Sequence, residues 1–331
     1  MLNNSLLHID NLTVQVHTHR GVAEPVHGFD LALQRGETLG LIGESGSGKT
    51  MAMLAVMGLL PRNAQAFGSV RFHGKELLAL DAAGWRQVRG GQIGMVFQEP
   101  MTALNPLQRV GDQVAEGVRL HRGLDAAAAR EQAMAWLDRV GIDRASERWR
   151  DYPHQFSGGQ RQRIVLASAL ACQPEILIAD EPTTALDSTV QAQMLRLLQD
   201  LVEAEGLALI LISHDLALVA HHVQRLCVLY AGRVMEHGSS TALFDHAAHP
   251  YTRALLAARP KLGLPRGQRL TSIPGRMPDL YAPPPGCRFA DRCPIVQEAC
   301  RVAEPPEQVL PGDGQPAHCV RCLFPQEGSH G

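Results

Sequence analysis

A glycine-rich loop that ends in lysine and threonine is the segment of this sequence best suited to binding an anionic ligand. It fits the pattern G-x-x-x-x-G-K-[ST] and reads Gly43-Glu44-Ser45-Gly46-Ser47-Gly48-Lys49-Thr50. Glycines let the backbone curl so that several N–H groups face phosphate oxygens, and the N-terminus of a following helix adds a positive dipole end. We expect Lys49 to neutralise phosphate charge and Thr50 to offer its hydroxyl to Mg²⁺. The loop therefore predicts a site for the β- and γ-phosphates of a nucleotide.

Two consecutive acidic residues supply the second half of the predicted site. Asp180 and Glu181 follow the apolar run Ile176 to Ala179, which has the length of a buried strand in a parallel sheet. Open parallel sheets bind ligands at the carboxyl ends of their strands, so Asp180 is placed to hold Mg²⁺, directly or through water. Glu181 is placed to polarise an attacking water. A solvated acidic pair at a strand end is the alternative, and the companion phosphate loop argues against it.

The elements that would position these groups follow from the spacing of apolar residues. Residues 38–42 predict the buried strand before the loop, and residues 50–58 the helix after it, which is the element order of phosphate-binding folds. The remaining pattern predicts short strands over 6–38 and 69–97, mainly helices over 107–150, helices over 157–172 and 190–203, a buried strand over 208–212 and a hairpin formed by 226–230 and 233–237. After about residue 258 the periodicity stops, and Pro, Gly, Arg and Cys dominate.

Composition sets limits on the class of protein. Hydrophobic residues make up 45% of the 331 residues and charged residues 19%, which is an ordinary balance for a chain that buries a core. The formal net charge of −2 provides no global basic field for nucleic acid. The sequence has neither a recognisable secretory signal nor an apolar run long enough to span a membrane. We expect a soluble protein whose role at a membrane, if it has one, depends on a partner.

Further motifs resemble those of ATP-binding cassette proteins. The segment Phe156-Ser157-Gly158-Gly159-Gln160 resembles the family signature LSGGQ, with Phe in place of Leu. Gln98 follows a predicted strand like the Q-loop of the family, Thr184-Ala185-Leu186-Asp187 is similar to its D-loop, and His214 is similar to its switch histidine. Together with the phosphate loop and the acidic pair, these motifs occur in the family order over residues 43–214.

The resemblance implies a fold, a domain organisation and a mechanism. The implied fold is an α/β P-loop NTPase with a RecA-like mixed sheet core, an antiparallel β subdomain and an inserted helical subdomain at about 100–157. The nucleotide-binding domain would span 1–258, and a small irregular extension 259–331. Two such domains would meet head to tail, each ATP lying between the phosphate loop of one subunit and the signature of the other. The implied nucleotide contacts are Ser157, Gly158, Gly159, Gln160 and Asp187, the catalytic residues are Glu181, His214 and Gln98, and the Mg²⁺ ligands are Thr50, Gln98 and Asp180.

One position departs from the family pattern. Members of the family usually carry an aromatic residue, stacked on adenine, ahead of the phosphate loop. The matching position here is Val16, and His17 or His19 would have to stack instead if any ring does. The departure concerns the affinity for the base and leaves the phosphate chemistry untouched.

Several segments resemble one branch of the family. Residues 98–106 are similar to the QDPMTSLNP stretch of ATPases that serve dipeptide, oligopeptide and nickel importers, and His249-Pro250-Tyr251-Thr252 and residues 273–300 are similar to the same branch. The resemblance implies an importer of dipeptides or oligopeptides, with nickel or another small solute as the alternative. It implies two permease subunits, a second ATPase that is identical or a paralogue, an extracytoplasmic binding protein and a place on the cytoplasmic face of the membrane. A non-transport ATPase acting on nucleic acid is disfavoured, since paired cassettes and basic arms are missing.

The cysteines suggest a further site. Two of them, Cys172 and Cys227, lie in apolar segments typical of a core, and five crowd the C-terminal fifth: Cys287, Cys293, Cys300, Cys319 and Cys322. From the residues alone, zinc, an iron–sulfur cluster and unligated thiols all remain open, and a disulfide framework is weaker without a secretory signal. The branch resemblance implies a [4Fe–4S] cluster, with Cys322 preferred to Cys319 because the residues after it, ending in Pro325, resemble the end of the family tail. The expected ligands are Cys287, Cys293, Cys300 and Cys322.

Overall fold

The structure is a computed structural model that describes residues 5–98, 103–184, 187–258, 272–311 and 317–326. The chain divides into two compact units. The first consists of Met1–Ser5, Leu33–Glu37 and Ala79–Leu211, and the second of Leu6–Ala32, Thr38–Leu78 and Ile212–Gly331. Within the described ranges, no helix is both long enough and apolar enough to cross a membrane.

The second unit contains an antiparallel sheet of strands in the order β2-β1-β4-β5. Valine, isoleucine and leucine alternate with polar residues along β1, so that one face of this strand is buried. A register shift between Asp10 and Thr13 interrupts the pairing of β1 with β4. The four strands are β1 (Leu7–Thr18), β2 (Gly21–Leu33), β4 (Ala64–Phe72) and β5 (Lys75–Glu76).

Another set of strands in the second unit positions the phosphate loop. These strands follow the order β11-β12-β10-β9-β3, with β3 parallel to β9 and the remaining neighbours antiparallel. The turn between β9 and β10 has positive φ at both Ala231 and Gly232, as a two-residue hairpin of type I′ requires. The strands are β3 (Thr38–Ile42), β9 (Arg225–Tyr230), β10 (Arg233–Ser239), β11 (Gln308–Val309) and β12 (Cys319–Val320).

Helices of the second unit are short. The first, α1 (Lys49–Val56), begins directly at the lysine of the phosphate loop, and most of its apolar residues are buried. The others in this unit are α8 (Leu216–Ala220), α9 (Ser240–His246), α10 (Pro250–Ala257) and α11 (Ala299–Val302). A 3₁₀ turn at Ala290–Arg292 precedes the last of these helices.

The first unit combines three buried strands with most of the long helices. Parallel pairing of β6 (Ile93–Val96) with β7 (Ile176–Asp180) aligns Val96 with Ala179, so the residues after both strands emerge at the same edge. The third strand, β8 (Ala208–Ser213), is the other neighbour of β7 and ends at the start of the second unit. The helices are α2 (Ala82–Val88), α3 (Val110–Arg122), α4 (Ala126–Arg139), α5 (Ala145–Arg148), α6 (Gly158–Leu170) and α7 (Ser188–Glu205).

Most predicted elements are confirmed, and the exceptions have local causes. The predicted strand region 69–97 contains the helix α2, which Asp81 caps by accepting a hydrogen bond from the Gly84 N–H at 2.8 Å. The short strands expected over 6–38 are two long strands joined at a turn. Residues 319–320 were expected to be irregular, but they pair with β10.

Candidate functional site

Buried backbone fixes the glycine-rich loop of the second unit. All five residues of β3 are buried, and the chain turns sharply at Gly43, Gly46 and Gly48, each of which has positive φ. A Cβ at Gly43 would lie 2.2 Å from the carbonyl oxygen of Leu229, and one at Gly48 would lie 2.1 Å from that of Pro25. Only glycine allows this approach of two backbones, which explains the residue type at both positions.

Lys49 lies inside the loop. Its Nζ donates hydrogen bonds to the carbonyl oxygens of Gly43 (2.7 Å) and Glu44 (2.9 Å) and contacts Ser47 Oγ at 3.4 Å. The lysine is 5% exposed, whereas Ser45 and Gly46 at the rim of the loop are exposed. The positive charge of this ammonium group lies inside the loop, where it can attract an anionic ligand. Thr50 follows at the start of α1 and is half-buried.

Glu181 and Gln98 lie together at the edge of the sheet in the first unit. Asp180 closes β7 and is 1% exposed. Glu181 comes next, with φ of 46°, and its Oε2 accepts hydrogen bonds from Gln98 Nε2 (3.1 Å) and Thr184 Oγ1 (3.0 Å). The parallel pairing of β6 and β7 brings these side chains together. Glu99 to Thr102, part of the stretch that resembles the importer branch, lie outside the described residues.

The predicted signature forms the N-terminus of α6. Ser157 is the N-cap, and its Oγ accepts a hydrogen bond from the Gln160 N–H (3.3 Å) while Gln160 Oε1 accepts one from the Ser157 N–H (3.1 Å). This reciprocal capping box leaves Ser157 and Gly158 exposed, and no atom lies within 4 Å of a Cβ built on Gly158. Gly159 is half-buried against Val190.

The remaining predicted residues have separate positions. Asp187 is the N-cap of α7, where it accepts hydrogen bonds from the N–H groups of Thr189 and Val190, and Ala185 and Leu186 lie outside the described residues. His214 follows β8 and is exposed. Val16 is half-buried on β1, paired with Ala64.

Four of the C-terminal cysteines line one small cavity of the second unit: Cys287, Cys293, Cys300 and Cys322. The cavity has a volume of about 10 Å³, and among the described residues no three of these sulfur atoms lie within 4.8 Å of one another. Burial raises the pKa of Cys287 to about 12 and of Cys322 to about 11, so both are neutral thiols near pH 7. Cys319 lies apart from them, close to His237 and Glu307.

Contacts from the C-terminal region to the phosphate loop were not anticipated. The guanidinium group of Arg292 forms an ion pair with Glu44, and the hydroxyl oxygen of Tyr251 accepts a hydrogen bond from the Glu44 N–H at 2.8 Å. Arg292 and Tyr251 both lie in segments that resemble the importer branch. This resemblance was the only indication in the sequence that the two residues matter.

Comparison with protein families gives two matches. Residues 26–184 match a family described as "ABC transporter", and residues 235–300 match one described as "Oligopeptide/dipeptide transporter, C-terminal region". The two regions contain the phosphate loop, the acidic pair, the signature and most of the C-terminal cysteines.

Curated relatives match over nearly their full length. The "Dipeptide transport ATP-binding protein DppD" of Bacillus subtilis is 44% identical over 330 residues, covering 98% of this chain and 96% of that protein. The "Oligopeptide transport ATP-binding protein OppD" of Escherichia coli is 45% identical over 309 residues, covering 93% and 91%.

Solved structures of cassettes share the fold. A dimeric post-hydrolysis state of the ATP-binding cassette MJ0796 bound to ADP and Pi has a TM-score of 0.63 and 28% identity, covering 71% of this chain and 98% of that chain. The cbiO1 protein of Clostridium perfringens, part of the transporter complex cbiONQ, has a TM-score of 0.63 and 26% identity, covering 73% and 91%. The predicted P-loop NTPase fold is thereby confirmed.

The prediction of a [4Fe–4S] cluster is wrong. The relatives are named as ATP-binding proteins of peptide transport, and their names mention no iron–sulfur cluster. In the structure the four cysteines line a cavity of about 10 Å³, which has room for about one water molecule. Cys287, Cys300 and Cys322 are buried in the C-terminal region, and Cys293 is half-buried.

Proposed function

The chain belongs to the ATP-binding cassette transporter family, and we propose that it is the ATP-hydrolysing subunit that energises an importer of dipeptides or oligopeptides. The observation that supports this proposal most is the match to the oligopeptide/dipeptide transporter C-terminal region at residues 235–300. Cassettes share the phosphate loop whatever they transport, whereas the description of this region names oligopeptide and dipeptide transporters. Near-full-length identity to the DppD and OppD proteins supports the same function.

The phosphate loop fits the triphosphate of ATP. Gly43 and Gly48 allow a tight turn that any Cβ would block, and Lys49 is already buried inside that turn. Thr50 and Asp180 carry the hydroxyl and carboxylate oxygens that Mg²⁺ prefers, so these two residues would hold the metal. When bound, Mg²⁺ neutralises charge on the phosphate oxygens.

The remaining residues would carry out hydrolysis. Glu181 orients the attacking water, and Gln98, whose amide donates to Glu181, joins this group to the helical part of the first unit. His214 would contact the γ-phosphate from the end of β8. Ser157, Gly158, Gly159 and Gln160 would bind the nucleotide of a second cassette, since the exposed N-terminus of α6 presents N–H groups and a positive dipole end. Asp187 would line the same interface.

Two permease subunits and a second cassette, identical or paralogous, would complete the transporter. An extracytoplasmic binding protein would deliver the peptide. Hydrolysis would remove the γ-phosphate that holds the two cassettes together, and their opening would move the permeases. In this assembly the chain would lie on the cytoplasmic face of the membrane.

Reconstitution of the whole transporter in lipid vesicles tests the proposal. The chain is produced with the two permeases and the binding protein of the proposed importer, and uptake of a labelled dipeptide, a labelled pentapeptide and ⁶³Ni²⁺ is measured with and without ATP. We expect ATP-dependent uptake of a peptide and peptide-stimulated release of phosphate. Uptake of nickel without peptide would move the protein to the metal-import branch. Hydrolysis stimulated by nucleic acid instead of peptide would contradict import altogether.

A further inference from the structure

An arginine from the C-terminal region forms a two-pronged ion pair with the phosphate loop. Arg292 NH1 donates to Glu44 Oε2 at 2.7 Å, and NH2 donates to Glu44 Oε1 at 2.9 Å. The Arg292 side chain is 5% exposed and that of Glu44 28%. Paired, partly desolvated contacts of this geometry are stronger and more specific than surface ion pairs.

The guanidinium group of Arg292 is held in place by further acceptors. Its Nε donates to the carbonyl oxygen of Pro274 at 2.8 Å, NH2 also donates to that of Ile273 at 3.1 Å, and NH1 also donates to the Tyr230 hydroxyl at 3.2 Å. With the two bonds to Glu44, these contacts use all five donors that an arginine side chain has. The guanidinium is therefore preorganised to pair with both oxygens of the Glu44 carboxylate.

A packed aromatic cluster supports the same part of the loop. The rings of Tyr230, Tyr251 and Phe289 lie 4.7 to 5.3 Å apart between centroids. Tyr251 is fully buried, and its hydroxyl oxygen accepts the hydrogen bond from the Glu44 N–H. Glu44 is thus held at its backbone by Tyr251 and at its side chain by Arg292, while its carbonyl oxygen faces Lys49 Nζ.

We propose that Arg292 is a positioning residue for ATP binding, which neutralises Glu44 and fixes the first turn of the phosphate loop. This inference rests on the proposed ATPase function. A carboxylate in the second position of a phosphate-binding loop adds negative charge where a triphosphate must enter, and its repulsion is weakened when a guanidinium pairs with it. Arg292 pairs with Glu44, so its effect would act through Glu44 and the loop backbone.

The inference gives the C-terminal region a role in the ATPase. Arg292 lies next to Cys293, and Phe289 lines the same small cavity as the four cysteines. Packing of this region thereby sets the position of the guanidinium. Loss of that packing would disturb the phosphate loop through two contacts, the Arg292–Glu44 ion pair and the hydrogen bond from the Glu44 N–H to the Tyr251 hydroxyl.

Nucleotide binding by a set of full-length variants tests the inference. Affinity for the fluorescent analogue mant-ATP with Mg²⁺ is measured for the wild type, Arg292→Met, Arg292→Lys, Glu44→Gln and the double variant Glu44→Gln/Arg292→Met. Arg301→Met is the matched control, because Arg301 pairs with Asp291 at an exposed surface of the same region. Melting temperatures without nucleotide report on folding.

We expect Arg292→Met to weaken binding about tenfold or more, as loss of charged hydrogen bonds does, and Arg292→Lys to fall between it and the wild type. The double variant should bind more tightly than Arg292→Met, since Glu44→Gln removes the unpaired charge. Arg301→Met should bind normally.

Normal binding by Arg292→Met would overturn this inference but leave the proposed ATPase function standing. A double variant no tighter than Arg292→Met would also overturn it, leaving Arg292 with a structural role. If Arg292→Met does not fold, Arg292→Lys decides, and normal binding by it would overturn the two-pronged pairing. Failure of the wild type to bind would overturn the ATPase function with it.

Discussion

Glu181 shows how backbone and side chain cooperate at single-residue scale. A φ of 46° is unusual for a residue with a Cβ and costs on the order of 1–3 kcal/mol, a strain typical of functional positions. Two hydrogen bonds to Oε2, from Gln98 and Thr184, then restrict the carboxylate. The carboxylate is thus placed before any nucleotide arrives, as orientation of an attacking water requires.

The change Glu181→Gln tests that role. Glutamine keeps the size of the side chain and an oxygen that can accept from Gln98, but it removes the negative charge that polarises water. We expect nearly unchanged ATP affinity and a turnover reduced by about 10²-fold or more. The variant should also trap the closed dimer of cassettes. Phosphate release by the complete transporter is the measurement, and Glu131→Gln, an exposed glutamate of α4, is the control. Normal turnover would remove Glu181 from this role.

The sequence predicts residues for direct contact with a nucleotide, but it gives no sign of the side chains that support the phosphate loop. The loop, the acidic pair and Gln98 were evident because phosphate and Mg²⁺ chemistry demands particular side chains at fixed short spacings. Arg292 is 248 residues away from Glu44 in the chain, and no local spacing connects them. An ion pair of this kind depends on tertiary packing alone.

At the scale of elements, Gly46 and Gly48 of the phosphate loop differ in their surroundings. Gly48 has φ of 105°, and a Cβ there would lie 2.1 Å from the Pro25 carbonyl oxygen, whereas one at Gly46, with φ of 80°, would meet no atom within 4 Å. We expect Gly48→Ala to abolish ATP binding and lower the melting temperature, because backbone must move. Gly46→Ala should be milder, costing on the order of 1 kcal/mol in strain. Equal effects of the two changes would contradict this account.

The start of α10 contains a buried histidine that should respond to pH. His249 caps the helix, its Nδ1 accepting a hydrogen bond from the Tyr251 N–H at 3.0 Å, and burial lowers the pKa of His249 to about 4, although the nearby Glu236 opposes the shift. The folded protein therefore holds this imidazole neutral. Between pH 6.5 and 4 His249 binds a proton in the unfolded chain but stays neutral in the folded chain. The free energy of unfolding therefore falls as the pH falls.

Unfolding by urea between pH 7 and 4 measures this effect. The histidine contributes a loss of at most about 1.4 kcal/mol per pH unit in that window, which levels off below about pH 4. Asparagine is a good helix cap that does not titrate, so His249→Asn should have a shallower pH dependence than the wild type. His246→Asn, at an exposed position of α9, is the control. Identical pH dependence in wild type and His249→Asn would show that His249 is not the responsible group.

Element prediction succeeded where apolar runs were long and failed where caps or distant partners decide the structure. The strands β3, β7 and β8 are short segments rich in Leu and Ile and were evident. The helix α2 buries only Val88, and Asp81 caps its N-terminus. Residues 319–320 form a strand only because β10 offers an edge, which the local sequence does not reveal.

Across the whole molecule, chain order and spatial grouping differ. The phosphate loop shares a unit with residues 212–331, and Gln98, the acidic pair and the signature share another. The predicted boundary at residue 258 followed a change in composition and stays a prediction. Composition marks where regular periodicity ends, but it carries no information on which segments pack together.

Helices of the first unit border an open groove. A groove of about 590 Å³ is lined by residues of α3 and α4 and by Trp149, and Arg130 stacks on the Trp149 ring at 3.8 Å. Leu107, just before α3, is 86% exposed. Leu107 directly follows the stretch 98–106. We expect so exposed an apolar side chain to contact a cytoplasmic helix of a permease.

Coupling between hydrolysis and transport should therefore depend on Leu107. We expect Leu107→Asp to leave ATP binding by the isolated chain unchanged, because the side chain makes no buried contact, while a charge at an apolar interface weakens assembly with the permeases by tenfold or more. Co-purification with the permeases and peptide uptake in vesicles are the measurements. Val302→Asp introduces the same charge at a position 69% exposed in the second unit and should assemble normally. Cross-links from a cysteine at 107 should reach a permease. Normal assembly and uptake with Leu107→Asp, or cross-links confined to the C-terminal region, would place the coupling surface elsewhere.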